Sequence, residues 1–229
     1  MQLVLIPPGR FVMGNEKVTL SNAYYLGRTE VTQAQWVAVM GTKPWSGKDE
    51  SGDNRPATFV NWIDAVAFCE KLTEKEKKGT YRLPTEEEWE FACRAGTTSQ
   101  FSFGDDGSKL PQFAWISDNT SKAGEPYAHD VALKKPNAFG LFDMHGNVWE
   151  FCSGEYTSDR TKEERPHRAD SGHMRIAAGG SWDSDHSKLF PGSGPEFYCR
   201  SASRTWPVPG NTSKDKGFRV AWTPPAKKK

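Results

Sequence analysis

Cysteines, histidines and clustered carboxylates are the side chains through which this chain of 229 residues could do chemistry. Its four cysteines, Cys69, Cys93, Cys152 and Cys199, lie far apart. None stands at the two-residue spacing of a zinc site or a redox dithiol, which leaves buried free thiols or a single disulfide. The histidines His129, His145, His167, His173 and His186 are dispersed, with no two at helical metal-ligand spacing. The densest run of hard oxygen donors spans 140–150: the Asp143 carboxylate, main-chain carbonyls around Gly146 and the Glu150 carboxylate. Calcium takes six to eight such oxygens; the competing reading is that Asp143 and Glu150 accept backbone hydrogen bonds in a turn. Asp183, Asp185 and His186 form a second polar cluster, directly after Trp182.

Three segments have the grammar of helices that could position these groups. Thr32 caps one over 32–40 that stops at Gly41, and Asn61 caps a second in which Trp62, Ala65, Val66, Cys69 and Leu72 fall on one face. The third runs over 86–95, with Thr85 and Glu88 as a capping box and three glutamates at its positive end. Arg82, Glu88 and Glu90 read as an ion-pair cluster anchoring it. After Gly96 the chain breaks into short β-like pieces at 101–103, 114–116, 148–152, 176–182, 198–204 and 218–222, with surface loops over 154–172 and 189–195. Strand and helix do not alternate, so a doubly wound sheet is disfavoured and an α+β domain is expected.

Thirty basic residues against twenty-nine acidic ones give a charge of +1, which offers nucleic acid no global attraction. No apolar run approaches the roughly 18 residues of a membrane span, and the opening six residues lack the pattern of a signal peptide. The chain is expected to be soluble and, if complete, cytoplasmic. Nine tryptophans and thirteen phenylalanines supply a core even to a loop-rich chain. Residues 225–229 read as a basic tail, leaving 1–224 as one domain.

Several motifs occur in one order along nearly the whole chain: Leu5-Ile6-Pro7-Pro8-Gly9, Glu30-Val31-Thr32, Val60-Asn61-Trp62, Arg82-Leu83-Pro84-Thr85-Glu86-Glu87-Glu88-Trp89, Phe142-Asp143-Met144-His145-Gly146-Asn147-Val148-Trp149-Glu150, Gly179-Gly180-Ser181-Trp182 and Gly217-Phe218-Arg219-Val220. In these the chain resembles the formylglycine-generating enzyme, or sulfatase-modifying factor, family. The resemblance implies a single domain of the C-type-lectin-like class with few helices and much irregular chain. It also implies structural calcium on Asp143, the carbonyls of Gly146 and Val148, and Glu150. A second family calcium site, near 115–119 and 129–131, does not register with Asp118, Asn119 and Asp130.

The family's catalysts oxidise a substrate cysteine with copper(I) held by two cysteines, since thiolates suit that soft ion. Those positions fall here on Pro191 and Glu196, and Cys199 is the sole cysteine after Ser181. Copper and formylglycine generation are therefore not expected. The partners of two family disulfides, from Cys69 and Cys93, would be Val220 and Ser201, so neither can form; a Cys93 to Cys199 pairing or close thiol contact stays open. The family's iron-dependent sulfoxide synthases need a histidine-rich helix outside this domain.

Two functions follow from the resemblance. One is a pseudoenzyme, expected to be bacterial, that binds a protein or small molecule in its C-terminal groove through Trp182, Asp183, Asp185, His186, Glu196, Tyr198, Arg200, Arg204 and Trp206. The variable proteins of diversity-generating retroelements use the fold in this way. The other is an oxidative tailoring enzyme with Glu196 as general base.

Overall fold

Each helix begins where a hydroxyl or amide side chain meets the backbone it must cap. In the computed structural model, which describes residues 1–48, 51–156, 174–184 and 195–225, Thr32 caps α1 (Gln33–Met40), Asn61 caps α2 (Trp62–Glu76) and Thr85 caps α3 (Glu86–Arg94). All three are reciprocal capping boxes, closed by Gln35, Asp64 and Glu88. The third helix ends one residue earlier than its sequence predicts, because Ala95 turns left-handed as the cap. None of the helices among the described residues is long and apolar enough to cross a membrane.

The two ends of the chain share a sheet. Strands β1 (Leu3–Ile6), β4 (Tyr24–Gly27), β10 (Ala221–Thr223) and β5 (Thr80–Arg82) lie antiparallel in that order, and β2 (Gly9–Met13) and β3 (Glu16–Leu20) form a separate hairpin. A third sheet runs β8 (Arg204–Thr205), β7 (Arg175–Ala178), β6 (Trp149–Glu155), β9 (Lys216–Gly217), with the β6 and β9 pair parallel. Between helices and sheets, Trp36 stacks on Phe68 with ring centroids 5.7 Å apart, and both rings meet Phe218 edge-on. A second cluster gathers Ile6, Leu26, Trp89 and Cys152, joining α3 to two of the sheets.

Several predicted strands give way to turns. Over 101–116 the only pairing among the described residues is one bridge, Phe101 with Gly104, followed by 3-10 turns at Gly107–Gln112 and Ser117–Asn119. Side chains have taken the backbone donors there: Asp106 accepts from the Ser108 N–H and Asn119 from the Ile116 N–H. The piece predicted at 198–204 is mostly turn, since the Ser201 N–H goes to the Gln100 carbonyl and the Ser203 N–H back to Arg200. The piece at 176–182 stops at Ala178, where Gly179 and Gly180 take φ values of 99° and 77°. A Cβ on Gly180 would lie 2.6 Å from Cys199 Sγ and 2.9 Å from the Tyr198 carbonyl. Residues 157–173 and 185–194, which take in most of the two predicted loops, and 226–229 of the tail fall outside the described residues.

Candidate functional site

The 143–150 turn sits in the interior, held by charge. Glu150, 1% exposed, accepts from Arg219 at both oxygens, 2.5 Å each, and from the Trp89 indole N–H at 2.7 Å. Arg219 also donates to the Gly27 and Phe142 carbonyls. Asp143 takes the Ala132 N–H on one oxygen, while its other oxygen and one oxygen of the buried Glu30 have no hydrogen-bond partner. Asn147 ties the group together, donating to Glu30 and accepting from the His129 N–H. A Cβ on Gly146 would fall 2.3 Å from the Trp115 carbonyl, so the turn is pressed directly against that strand of chain.

Burial sets the protonation here. It pushes Asp143 up to about 6, with Glu150 adding to the rise while the Ala132 N–H and Arg219 oppose it, and it lifts Glu30 well above the carboxylate range. Burial alone would lower Arg219, but Glu150 more than offsets that and holds the guanidinium charged. The calcium donors expected from resemblance do not fit as a set. Glu150 already serves one buried cation, Arg219, and an indole N–H, so it is not an open metal ligand. Glu30, for which the sequence carried no signal beyond its place beside Val31 and Thr32, belongs to the cluster instead.

His145, in the same turn, is fully part of the interior. It faces the Cys199 carbonyl through Nδ1 at 2.8 Å and takes the Ser102 N–H on Nε2 at 3.1 Å, an arrangement that fits the neutral ring. Burial drives its pKa down to about 4. All four cysteines are buried and free. Cys93 Sγ lies 3.6 Å from the Met144 carbonyl, and burial pushes both its thiol and that of Cys199 up to about 12; both are free, so the pairing left open between them is not formed. A lone, buried, protonated Cys199 does not supply the two thiolates that copper(I) needs.

The C-terminal groove residues divide into wall and face. Trp182 is wholly buried against Ala128 and Val148, with its indole N–H on the Lys214 carbonyl and its own carbonyl receiving the Thr120 hydroxyl. Arg204, with a side chain 6% exposed, is spent on Glu86 at 3.0 Å and Glu90 at 2.6 Å, and donates to the Ser201 and Ser203 carbonyls. Both were expected to touch ligand; both instead build the scaffold, because long-range partners claimed them. Glu90 also pairs with Arg94, whereas Glu88 holds Arg82 in two prongs, so the expected ion-pair cluster forms as two separate groups along α3.

Asp183 is exposed, 3.5 Å from Lys214, and Trp206 is 48% exposed against Tyr156. Asp185 and His186 lie outside the described residues. Glu196 is half-buried on a short 3-10 turn and lines a cavity of about 500 Å³ with Ser108, Leu110, Pro111, Ile116 and Asp118. Tyr198 and Arg200 are half-buried beside it, and Phe197, which sequence reasoning passed over, is 46% exposed and packs edge-on to Tyr198 under the Arg200 guanidinium. The opposite wall, from the 3-10 turns, was missed because its residues read as loop and meet Glu196 only through tertiary folding.

Residues 1–224 match the sulfatase-modifying factor enzyme 1-like domain. The chaperone protein LppX of Paenibacillus barcinonensis is 33% identical over 236 residues, which cover 80% of this chain and 79% of that protein. The formylglycine-generating enzyme of Mus musculus is 32% identical over 205 residues, 81% of this chain but only 50% of the enzyme. Among solved structures, Treponema denticola variable protein 1 superposes with a TM-score of 0.79 at 29% identity, covering 97% of this chain and 95% of its own. The mixed helix and strand architecture expected from sequence is the one shared with that neighbour.

Proposed function

Since the chain belongs to the sulfatase-modifying factor enzyme 1-like family, we propose that it is a ligand-binding member that has exchanged the family's thiol chemistry for a binding face around Glu196. The observation that carries this reading is a substitution of kind. Where the catalysts' second cysteine is expected, a half-buried Glu196 lines an open cavity, and the neighbouring Cys199 is buried and protonated. A cavity of about 500 Å³ lies within the range of small-molecule sites. The likeness to a variable protein at 29% identity supports the narrower reading that the 182–220 segment is diversified. A near-copy of its coding sequence beside a reverse-transcriptase gene would sharpen it.

Two measurements test the proposal. Anaerobic copper(I) titration with a cysteine-containing sulfatase peptide, followed by oxygen and mass analysis, is expected to give no two-thiolate complex and no formylglycine; an oxidised peptide overturns it. A saturation-transfer NMR screen of small fragments should yield hits lost in Glu196→Gln, and a screen without any Glu196-dependent hit removes the binding face. A second reading, oxidative tailoring with Glu196 as general base, is favoured by the absence of any ion pair to Glu196 among the described residues. Conversion of a bound fragment under oxygen would select it.

A further inference from the structure

A second concavity lies on the other side of Arg200. It has a volume of about 390 Å³ and is lined by Arg94, Ser99, Gln100, Asp105 and Arg200. Its two arginines are in opposite situations. Arg94 is spent: Glu90 holds it at 2.7 Å and its remaining arm donates to the Ser99 carbonyl. The Arg200 side chain makes no ion pair or hydrogen bond to any described residue, its carbonyl alone receiving the Ser203 N–H, and its Nε is buried without a partner. Its guanidinium is oriented by the Phe197 ring, 5.0 Å away. A buried N–H left unpaired costs about 1–3 kcal/mol, so an acceptor brought by water or by a ligand stabilises Arg200 where no described side chain does.

We infer that this pocket receives a carboxylate, bound edge-on by Arg200. The planar guanidinium fork matches the two oxygens of a carboxylate, and stacking on Phe197 means little side-chain freedom is lost on binding. Asp105 narrows the class. Its carboxylate lies on the exposed rim, with one oxygen tied to the Gln100 N–H at 2.8 Å, and it repels a dianion more than a monoanion. A singly charged carboxylate therefore suits the pocket better than a phosphate. The group comes either from a free small acid or from the C-terminus of a polypeptide. This inference rests on the ligand-binding reading of the C-terminal face but uses a different pocket from that of Glu196.

The side-chain Nε–H signal of Arg200 in ¹⁵N-labelled protein belongs to the guanidinium plane that would meet the carboxylate and so senses the proposed contact. Titration with sodium acetate is expected to move it saturably, and Arg200→Lys, which keeps the charge but loses the fork, is expected to weaken acetate at least about tenfold. Arg200 holds no ion pair among the described residues, so this variant leaves the fold in place. A flexible peptide with a free C-terminus that binds at least tenfold tighter than acetate, while its C-terminal amide does not bind, assigns a polypeptide source. Equal binding of acetate and peptide acid assigns a free small acid. No saturable shift, inorganic phosphate binding tighter than acetate, or undiminished acetate binding in Arg200→Lys overturns the inference. Glu196→Gln serves as the control: loss of the fragment hits with an intact acetate response sinks neither idea, whereas fragment hits without an acetate response sink this inference alone.

Discussion

Two arginines near the end of the chain, Arg219 and Arg200, show how the same side chain becomes framework or face. Arg219 is fully buried and meets Glu150 at two points, with two carbonyls completing its donors. Arg200 is half-buried, stacked on an exposed ring and unpaired among the described residues. Charges that are buried must be matched inside the fold, because desolvation costs several kcal/mol per ion. Charges left without a match at a rim are free to recruit one. The first kind fixes the turn at 143–150, and the second is what a binding surface requires.

The largest effect should come from breaking the matched arginine. Arg219→Gln strands Glu150 in the interior and is expected to cost about 3–5 kcal/mol in urea unfolding, with the Arg219→Gln, Glu150→Gln pair recovering part of it. A loss below about 1 kcal/mol would mean that water or another cation already serves Glu150.

Opposed pH dependences sharpen the contrast within the buried turn. Asp143, raised from 3.8 to about 6, contributes stability that is present below its ordinary pKa and lost as pH rises through about 6. His145, lowered from 6.5 to about 4, contributes stability that is present above its ordinary pKa and lost as pH falls through about 4. Between pH 4 and 6.5 the two oppose each other. Asp143→Asn should make Tm climb more steeply with pH across that window, and His145→Gln should make it climb less. Parallel shifts of both curves, with unchanged slopes, would show that neither group titrates there.

At the face, the smallest effects are expected. Glu196→Gln should change stability by less than about 0.5 kcal/mol, since its side chain holds no ion pair among the described residues, and Trp206→Ala by about 1 kcal/mol, since its ring is half exposed and loses only its packing on Tyr156. A loss above about 2 kcal/mol for either would move that residue from face to framework.

What could be read from sequence follows the range of the interactions. The three helix starts were legible because Thr32, Asn61 and Thr85 find their partners three residues on. Trp182 and Arg204 were misplaced because their partners are distant: Trp182 meets Thr120 and Lys214, and Arg204 meets Glu86 and Glu90. An aromatic or a guanidinium has the same letter whether it faces solvent or a carboxylate across the fold. The membership of Glu30 in the buried acid cluster was hidden for the same reason, as it faces Asn147 from the far end of the chain. The motif that resembles the family's calcium loop was visible, but the hold of Arg219 and Trp89 on Glu150 was not.

The paired glycines at 179 and 180 carry a consequence for engineering. Their missing side chains let Trp89 close over one and the Tyr198 and Cys199 backbone seat on the other. Gly180 thereby joins the end of β7 to the Tyr198 and Cys199 backbone at a footing that has no room for a side chain. Any larger residue at 180 should wedge that joint open, so the position works as a keyway that a redesign of this end of the molecule has to leave unfilled.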